Sequence, residues 1–365
     1  MQRVCLSMIV KDEAPVIERC LASVRPLLHS WCVVDTGSSD DTPQRVERAL
    51  AGLPGALHRR PWRNFAANRN EALELARAQL GSDGGWLLLI DADETLELPA
   101  GYRLPPLDAA AYEFDTRYGE LSYRRVALLD ALRAWRYQGV LHEYLECTPP
   151  TLPQWLDGPR IRVRPEGARS RNPRKFHDDA ALLECALAQE PDNARYWFYL
   201  GQSWRDAGEP ARALAAYHKR LQLPGWDEES WYAQLQVARL VEILGDQPGA
   251  IAGYLDAYAR RPTRAEPLVE LARLLRARGD WPGALLYARA AAQIPLPGDR
   301  LFVDTACYQW RALDEWTIAA WWAGCHAEGA QAMTRLLAAP FPESERARID
   351  TNAGYYRERG FLSGA

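Results

Sequence analysis

Two aspartates separated by one residue close the apolar run Trp86-Leu87-Leu88-Leu89-Ile90-Asp91-Ala92-Asp93-Glu94. Such a run reads as a buried strand, and open α/β sheets bind ligands beyond the carboxyl ends of their strands. If the chain stays extended, its period of two turns both carboxylates to one side. Converging carboxylates repel each other unless a cation lies between them. Hard oxygen donors suit Mg2+ or Mn2+, which would also hold a diphosphate. A plainer use stays open, with Asp93 capping a turn that begins at Glu94. A calcium loop is excluded by Leu96, which stands where that loop's turn needs glycine. Asp35 ends a second apolar run, Val33-Val34-Asp35-Thr36-Gly37-Ser38-Ser39-Asp40-Asp41-Thr42. Its carboxylate could accept hydrogen bonds from a ribose or base, or simply cap its own turn. Asp35-Thr36-Gly37 also spells an aspartic-protease motif. That chemistry needs two carboxylates sharing a proton, and the motif occurs once here, in an α/β setting.

The elements that must position these residues follow from periodicity. Val4–Val10, Trp31–Asp35, Ala56–Arg59 and Trp86–Ile90 read as strands. Glu13–Val24, Thr42–Leu50 and Phe65–Leu80 read as the helices between them. This alternation predicts a mainly parallel sheet. Beyond Leu98, Ala110–Thr116, Leu121–Leu128, Val140–Glu146 and Ile161–Arg164 are short strand candidates that extend it. From Lys175 the pattern becomes helical and repeats. Gly208, Gly245 and Gly279 stand 37 and 34 residues apart, each with a small residue five positions on. Tyr217, Tyr254 and Ala288 follow at nine. This spacing resembles the TPR pattern of stacked helix pairs, with a degenerate fourth unit over Leu313–Ala339 and a polar cap over Asn352–Phe361. The expected organisation is an α/β domain over 1–174 and an all-α TPR-like superhelical domain over 175–365.

Composition sets outer limits. A formal net charge of −4 over 365 residues gives no basic field for nucleic acid. Seven scattered cysteines without a CxxC pair read as reduced thiols of a cytoplasmic protein. The first residues run straight into a strand, leaving no room for a signal peptide, and no apolar stretch approaches the ~20 residues of a membrane helix. Most of the repeat region's tryptophans and tyrosines, among them Trp197, Trp204, Trp231 and Trp316, are expected in the core. An exposed subset could line a groove or a homodimer interface.

Four segments stand in order: Leu6-Ser7-Met8-Ile9-Val10-Lys11-Asp12-Glu13, Val33-Val34-Asp35-Thr36-Gly37-Ser38-Ser39-Asp40, Phe65-Ala66-Ala67-Asn68-Arg69-Asn70-Glu71-Ala72-Leu73 and Leu89-Ile90-Asp91-Ala92-Asp93-Glu94. Together, over about residues 1–147, they resemble the family 2 glycosyltransferases. Trp135-Arg136-Tyr137-Gln138-Gly139-Val140-Leu141-His142-Glu143, with TPR-like helices after it, resembles a bacterial subgroup with fused repeats. The resemblance implies a GT-A (Rossmann-like) fold and an inverting, metal-assisted transfer from a nucleotide-sugar, UDP-linked by expectation, to a hydroxyl or thiol. The acceptor could be a peptide, a glycan or a small molecule.

By position, the strand end from Leu6 and Ser7 to Val10, with Asp35, would hold the nucleoside. Arg69 would contact base or phosphate. Asp91 and Asp93 would hold the ribose and the metal-diphosphate, and Lys11 and Glu13 are further donor contacts. The residue between them is Asp12 where the family pattern has Asn. The Glu-Asp pair that supplies the general base in many members is absent. Its replacement is His142-Glu143, with Glu143 as base and His142 as metal or diphosphate contact, or the reverse. A half-buried histidine and a surface ion pair are the plainer alternative. The rival for the whole chain is a non-catalytic TPR scaffold carrying a degenerate transferase domain. A nucleotidyl or phosphoryl transferase is disfavoured by the lack of a Gly-rich phosphate loop.

Overall fold

The structure is a computed structural model and describes residues 2–119 and 121–363. The chain divides into two compact units, Met1–Ala186 and Leu187–Ala365. The first begins with β1 (Val4–Val10), α1 (Ile17–Val24), β2 (Ser30–Asp35), α2 (Thr42–Ala49), β3 (Gly55–Arg59), α3 (Phe65–Leu80), β4 (Trp86–Leu89) and β5 (Glu94–Glu97). It continues through β6 (Ala111–Tyr118), β7 (Leu121–Asp130), β8 (Ala134–Gln138), β9 (Tyr144–Thr148), β10 (Gln154–Val163), α4 (Ala168–Arg171) and α5 (Lys175–Leu187).

Eight strands form one mixed sheet in the order β3-β2-β1-β4-β7-β6-β10-β5, and β8 and β9 pair as a separate hairpin. β1 lies parallel to both β2 and β4, and β2 is parallel to β3. The chain builds outward from β1 to β3 and then returns to lay β4 on the other side of β1. That reversal leaves a crevice between the carboxyl ends of β1 and β4, the place where open α/β sheets take ligands. The strands are apolar on both faces because both are covered. Leu6, Met8 and Leu88 pack on one face with Ile17 and Leu21 of α1. Cys5, Leu87 and Leu89 pack on the other with Leu73 and Ala76 of α3.

Two expectations about local structure change. Val140–Glu146 is not one strand: residues 139–143 form the turn between β8 and β9, and His142 takes a φ of 50° there. The second concerns boundaries. Helical periodicity starts at Lys175, but the packing boundary lies at 186/187, because α5 belongs with the first unit. All seven cysteines are free, five of them buried. Among the described residues no helix is long and apolar enough to cross a membrane.

The second unit stacks helix pairs: α6 (Ala194–Asp206) with α7 (Pro210–Leu221), α8 (Asp227–Ile243) with α9 (Gln247–Arg260), α10 (Glu266–Ala277) with α11 (Trp281–Ala291), and α12 (Ala312–Trp322) with α13 (His326–Leu337). A last helix, α14 (Glu343–Glu358), covers the end. The turn inside each pair repeats. Gly208, Gly245, Gly279 and Gly324 have φ between 75° and 92°, a region costly for any residue with a Cβ. After each glycine the next N–H returns to the first helix, as in Glu209 to Trp204 (2.9 Å) and Cys325 to Ala320 (2.9 Å). Ala213, Ala250 and Ala284 are wholly buried, as are Tyr217, Tyr254 and Met333. The first helices of successive pairs are tied by the ion pairs Arg195–Glu229, Arg239–Glu270 and Arg276–Glu315, and α12 is tied to α14 by Arg348–Asp314, at 2.6–3.0 Å.

Candidate functional site

A cavity of about 650 Å3 opens at the β1/β4 crevice. Ile9–Glu13 line it from the end of β1, Arg69 from α3, Asp91–Asp93 from the end of β4, and Gly167–Ser170 from the segment entering α4. Trp62, Phe65 and Leu182 supply apolar wall.

Asp91 and Asp93 reach this cavity by a turn, not by strand periodicity. The chain bends at Ala92, the Glu94 N–H donates to the Asp91 carbonyl (3.1 Å), and β5 starts at Glu94. Glu94 is therefore a strand residue, and its side chain is part of the support. It accepts from the Asp91 N–H (2.9 Å) and is held by the Arg125 guanidinium through both oxygens. Arg69 lies between two acids. Its Nη2 donates to Asp91 Oδ1 (2.7 Å) and its Nε lies 2.7 Å from Glu143 Oε1, with the Tyr137 ring 5.6 Å away. Burial alone would raise the Asp91 carboxyl, but Arg69 and Arg125 outweigh it and hold Asp91 below the usual carboxylate range.

Asp93 has the opposite balance. It makes no ion pair among the described residues, and burial, followed by the charge of Asp91, pushes its carboxyl up. Glu13 faces the same space. Burial is the main cause that lifts its carboxyl to about 7, with the charges of Asp93 and Asp91 adding, against a hydrogen bond from the Ala168 N–H (3.1 Å). The backbone at Gly167 passes so close that a Cβ there would lie 2.8 Å from Asp93 Oδ2. The cavity thus holds more negative charge than its own residues neutralise.

The β1 end is fixed by the loop after β2. Asp12 has a φ of 55°, a conformation that Asp and Asn accept more readily than most residues. Its carboxylate accepts from the Ser39 N–H (2.6 Å) and hydroxyl (2.9 Å). The N–H groups of Asp12, Glu13 and Ala14 donate to Ser38, Thr42 and Asp40. The Ser-Ser-Asp run therefore buttresses the crevice. On α3, Asn64 caps the helix through the Ala67 N–H (2.8 Å), the buried Asn68 grips the Pro61 carbonyl (3.0 Å), and Asn70 bonds both the N–H and carbonyl of Tyr137. These asparagines set the helix that delivers Arg69.

Of the expected site residues, Lys11, Glu13, Arg69, Asp91 and Asp93 come together here. Leu6 does not: it is fully buried in the apolar core, and Ser7 is 5% exposed within the same strand, so the lining begins two residues later. Asp35 is 4% exposed, accepts from the Ser38 N–H (3.0 Å), and lines a separate cavity with Arg59 and Arg60. Glu143 stands behind Arg69, and His142 is exposed in the hairpin turn; neither lines the large cavity. Lys175 does line it, and Arg171 donates to the Asp12 carbonyl (3.2 Å). Sequence reading missed Arg125, Glu94 and Arg169. Arg169 sits 4.5 Å over the Phe65 ring and pairs with Asp179 of α5.

Residues 5–100 match the family model described as glycosyl transferase family 2. Over that span the first unit is similar to the family 2 glycosyl transferases. The matched span runs from the second residue of β1 through β5 and contains every lining residue from Ile9 to Asp93. A TPR repeat-containing protein of Synechococcus elongatus is 36% identical over 173 residues, 45% of this chain and 41% of that protein. The chain thus spans about two fifths of the length of this curated relative. Among solved structures, a crystal structure of MamA aligns at 20% identity and a TM-score of 0.38 over 48% of this chain and 92% of its own. YrrB, titled a TPR protein with an unusual peptide-binding site, aligns at 17% identity and a TM-score of 0.38 over 50% and 84%. The TPR-like character of the second unit rests on its own repeated turns and helix pairs.

Proposed function

We propose that the transferase domain moves a sugar from a nucleotide-sugar donor, UDP-linked, to an acceptor hydroxyl or thiol by one inverting displacement. The observation that carries this reading is the β1/β4 cavity itself, which brings Asp91, Asp93, Arg69 and Glu13 to one wall. A divalent cation suits the donor set. Asp93 and Glu13 are hard oxygen donors raised first by burial and then by the charge of neighbouring aspartates. Among the described residues no group of three or more possible ligands is arranged around one point, so diphosphate oxygens and water would complete the shell. Asp93, with Asp91, would hold Mn2+ or Mg2+, whose chemistry is to polarise and neutralise the leaving diphosphate. Arg69 anchors Asp91 and presents its guanidinium to the phosphate or base. Glu143, poised behind Arg69, is the candidate to take the acceptor's proton once Arg69 turns to the diphosphate.

The test is release of nucleoside diphosphate from a panel of UDP-, GDP- and dTDP-sugars with and without Mn2+. Metal-dependent turnover of one donor, lost in Asp93→Ala, supports the transferase. The name of the Synechococcus relative favours the scaffold alternative. That alternative takes over if calorimetry finds neither donor nor metal bound.

A further inference from the structure

The helix pairs of the second unit do not recur evenly. Gly324 follows Gly279 by 45 residues, against 34 for the interval before it. The excess is the segment between α11 and α12, Ile294-Pro-Leu-Pro-Gly-Asp-Arg-Leu-Phe-Val-Asp-Thr305, whose stretch from Pro295 to Asp304 has neither helix nor strand. It does not simply bridge two helices; it lies across the first helices of the preceding pairs.

Its contacts are those a bound extended peptide makes. The Arg300 and Leu301 N–H groups donate to Glu228 of α8 (2.8 and 2.7 Å). The Leu301 and Phe302 carbonyls accept from Arg264 (3.4 and 3.0 Å), and the Asp304 N–H donates to Glu266 of α10 (3.1 Å). The Asp299 carboxylate takes two bonds from Arg261 (2.6 and 2.7 Å) and one from Arg264 (3.0 Å). The Phe302 ring stacks parallel to Phe198 of α6 (6.4 Å, 15°) and lies 4.8 Å from Tyr232 of α8. Main-chain groups read by side chains, with one carboxylate and one aromatic anchor, are how peptide grooves combine affinity with specificity.

Two features set this segment apart from a fixed strap. Phe302 is held at a φ of 45°, a strained conformation for a bulky residue, and the residue is 48% exposed. The receptor side is the reverse: Arg264 and Glu266 are almost wholly buried and joined in an ion pair at 2.7 Å. If the segment left, Arg264 would face an open groove without its carbonyl and Asp299 partners, a costly state. A replacement must therefore bring the same chemistry.

We propose that Pro295–Thr305 is an intramolecular ligand of the α6/α8/α10 face. It keeps that groove closed until an extended peptide, with a carboxylate followed three residues later by an aromatic, takes its place. This does not rest on the transferase reading.

The test uses the full chain with residues 296–303 replaced by Gly/Ser of equal length, and a fluorescein-labelled peptide of the 295–305 sequence. The replaced chain should bind the peptide, and wild type at least about tenfold more weakly, because its own segment holds the groove. Peptides with Asn for the aspartate at 299 or Ala for the phenylalanine at 302 should lose binding. A replaced chain of unchanged helical content that ignores the peptide overturns the proposal. Hydrogen exchange on wild type decides independently of that variant. The Arg300 and Leu301 amides should open at lower free energy than those of α8 and α10. If they exchange only with global unfolding, the segment is a permanent strap and the proposal falls.

Discussion

Glu270 of the repeat unit and the Glu13/Asp93 pair of the first unit sit in opposite electrostatic settings. In the repeat unit, Glu270 receives Arg239, Arg273 and Arg311 at 2.9–3.2 Å, and these cations outweigh burial to pull its carboxyl down to about 2. In the first unit, Glu13 and Asp93 share a cavity in which neither makes an ion pair among the described residues, while Arg69 is taken by Asp91 and Glu143, and Arg125 by Glu94. Their carboxyls go up. A buried acid surrounded by guanidinium groups holds helices in register. A half-buried acid left short of positive charge weakens the fold and gains from an incoming cation.

The comparison breaks first where compensation is complete. Glu270→Gln leaves three guanidinium groups facing a neutral amide. Because those arginines are a quarter to a third exposed, the cost is set at about 2–3 kcal/mol, below that of a fully buried pair. Thermal unfolding should then fall by roughly 5–10 °C. Glu143→Gln sharpens the other side. If Glu143 is the base, kcat should drop by about 10²-fold or more with donor affinity kept. Equal loss in donor binding would reduce it to a positioning partner of Arg69. Gly167→Ala presses a methyl against Asp93 and should weaken metal-dependent donor binding by about threefold to tenfold, the cost of a displaced ligand in a close-packed site. Unchanged affinity would mean that Asp93 does not hold the metal.

The smallest effect is in pH. The Glu13 carboxyl stands near 7 in the fold against an ordinary 4.5. The folded chain therefore keeps its proton where the unfolded chain has lost it. The contribution of Glu13 to stability is greatest below 4.5, declines as pH rises and levels off above 7. Glu13→Gln should match wild type at pH 4.5 and melt a few degrees higher at pH 8. Glu270 has the opposite sign: its contribution is present above 4.5 and is lost as pH falls toward 2. Parallel pH profiles for Glu13→Gln and Glu270→Gln would erase the contrast between the units.

Much of the frame was readable along the chain. The parallel strands announce themselves by apolar runs, because burial on both faces leaves no polar alternation. The helix pairs announce themselves by glycines and alanines at fixed intervals, because the turn and the helix crossing tolerate little else there. Gly324 escaped because the inserted 295–305 segment displaced it from the period. At the site, Asp91, Asp93, Arg69, Lys11 and Glu13 were legible as polar residues at the ends of buried elements. Leu6 and Ser7 were placed too early, since the lining starts where β1 leaves the sheet.

Local sequence, then, determined which elements form and which polar residues their ends carry. Only the tertiary structure decided how charge is shared among them. Arg125 reaches Glu94 from a strand 31 residues away, Glu143 reaches Arg69 from across a hairpin, and Asp299 reaches Arg264 from an inserted loop. Those pairings depend on Coulomb attraction over a few ångströms of space, a distance that separation along the chain does not encode.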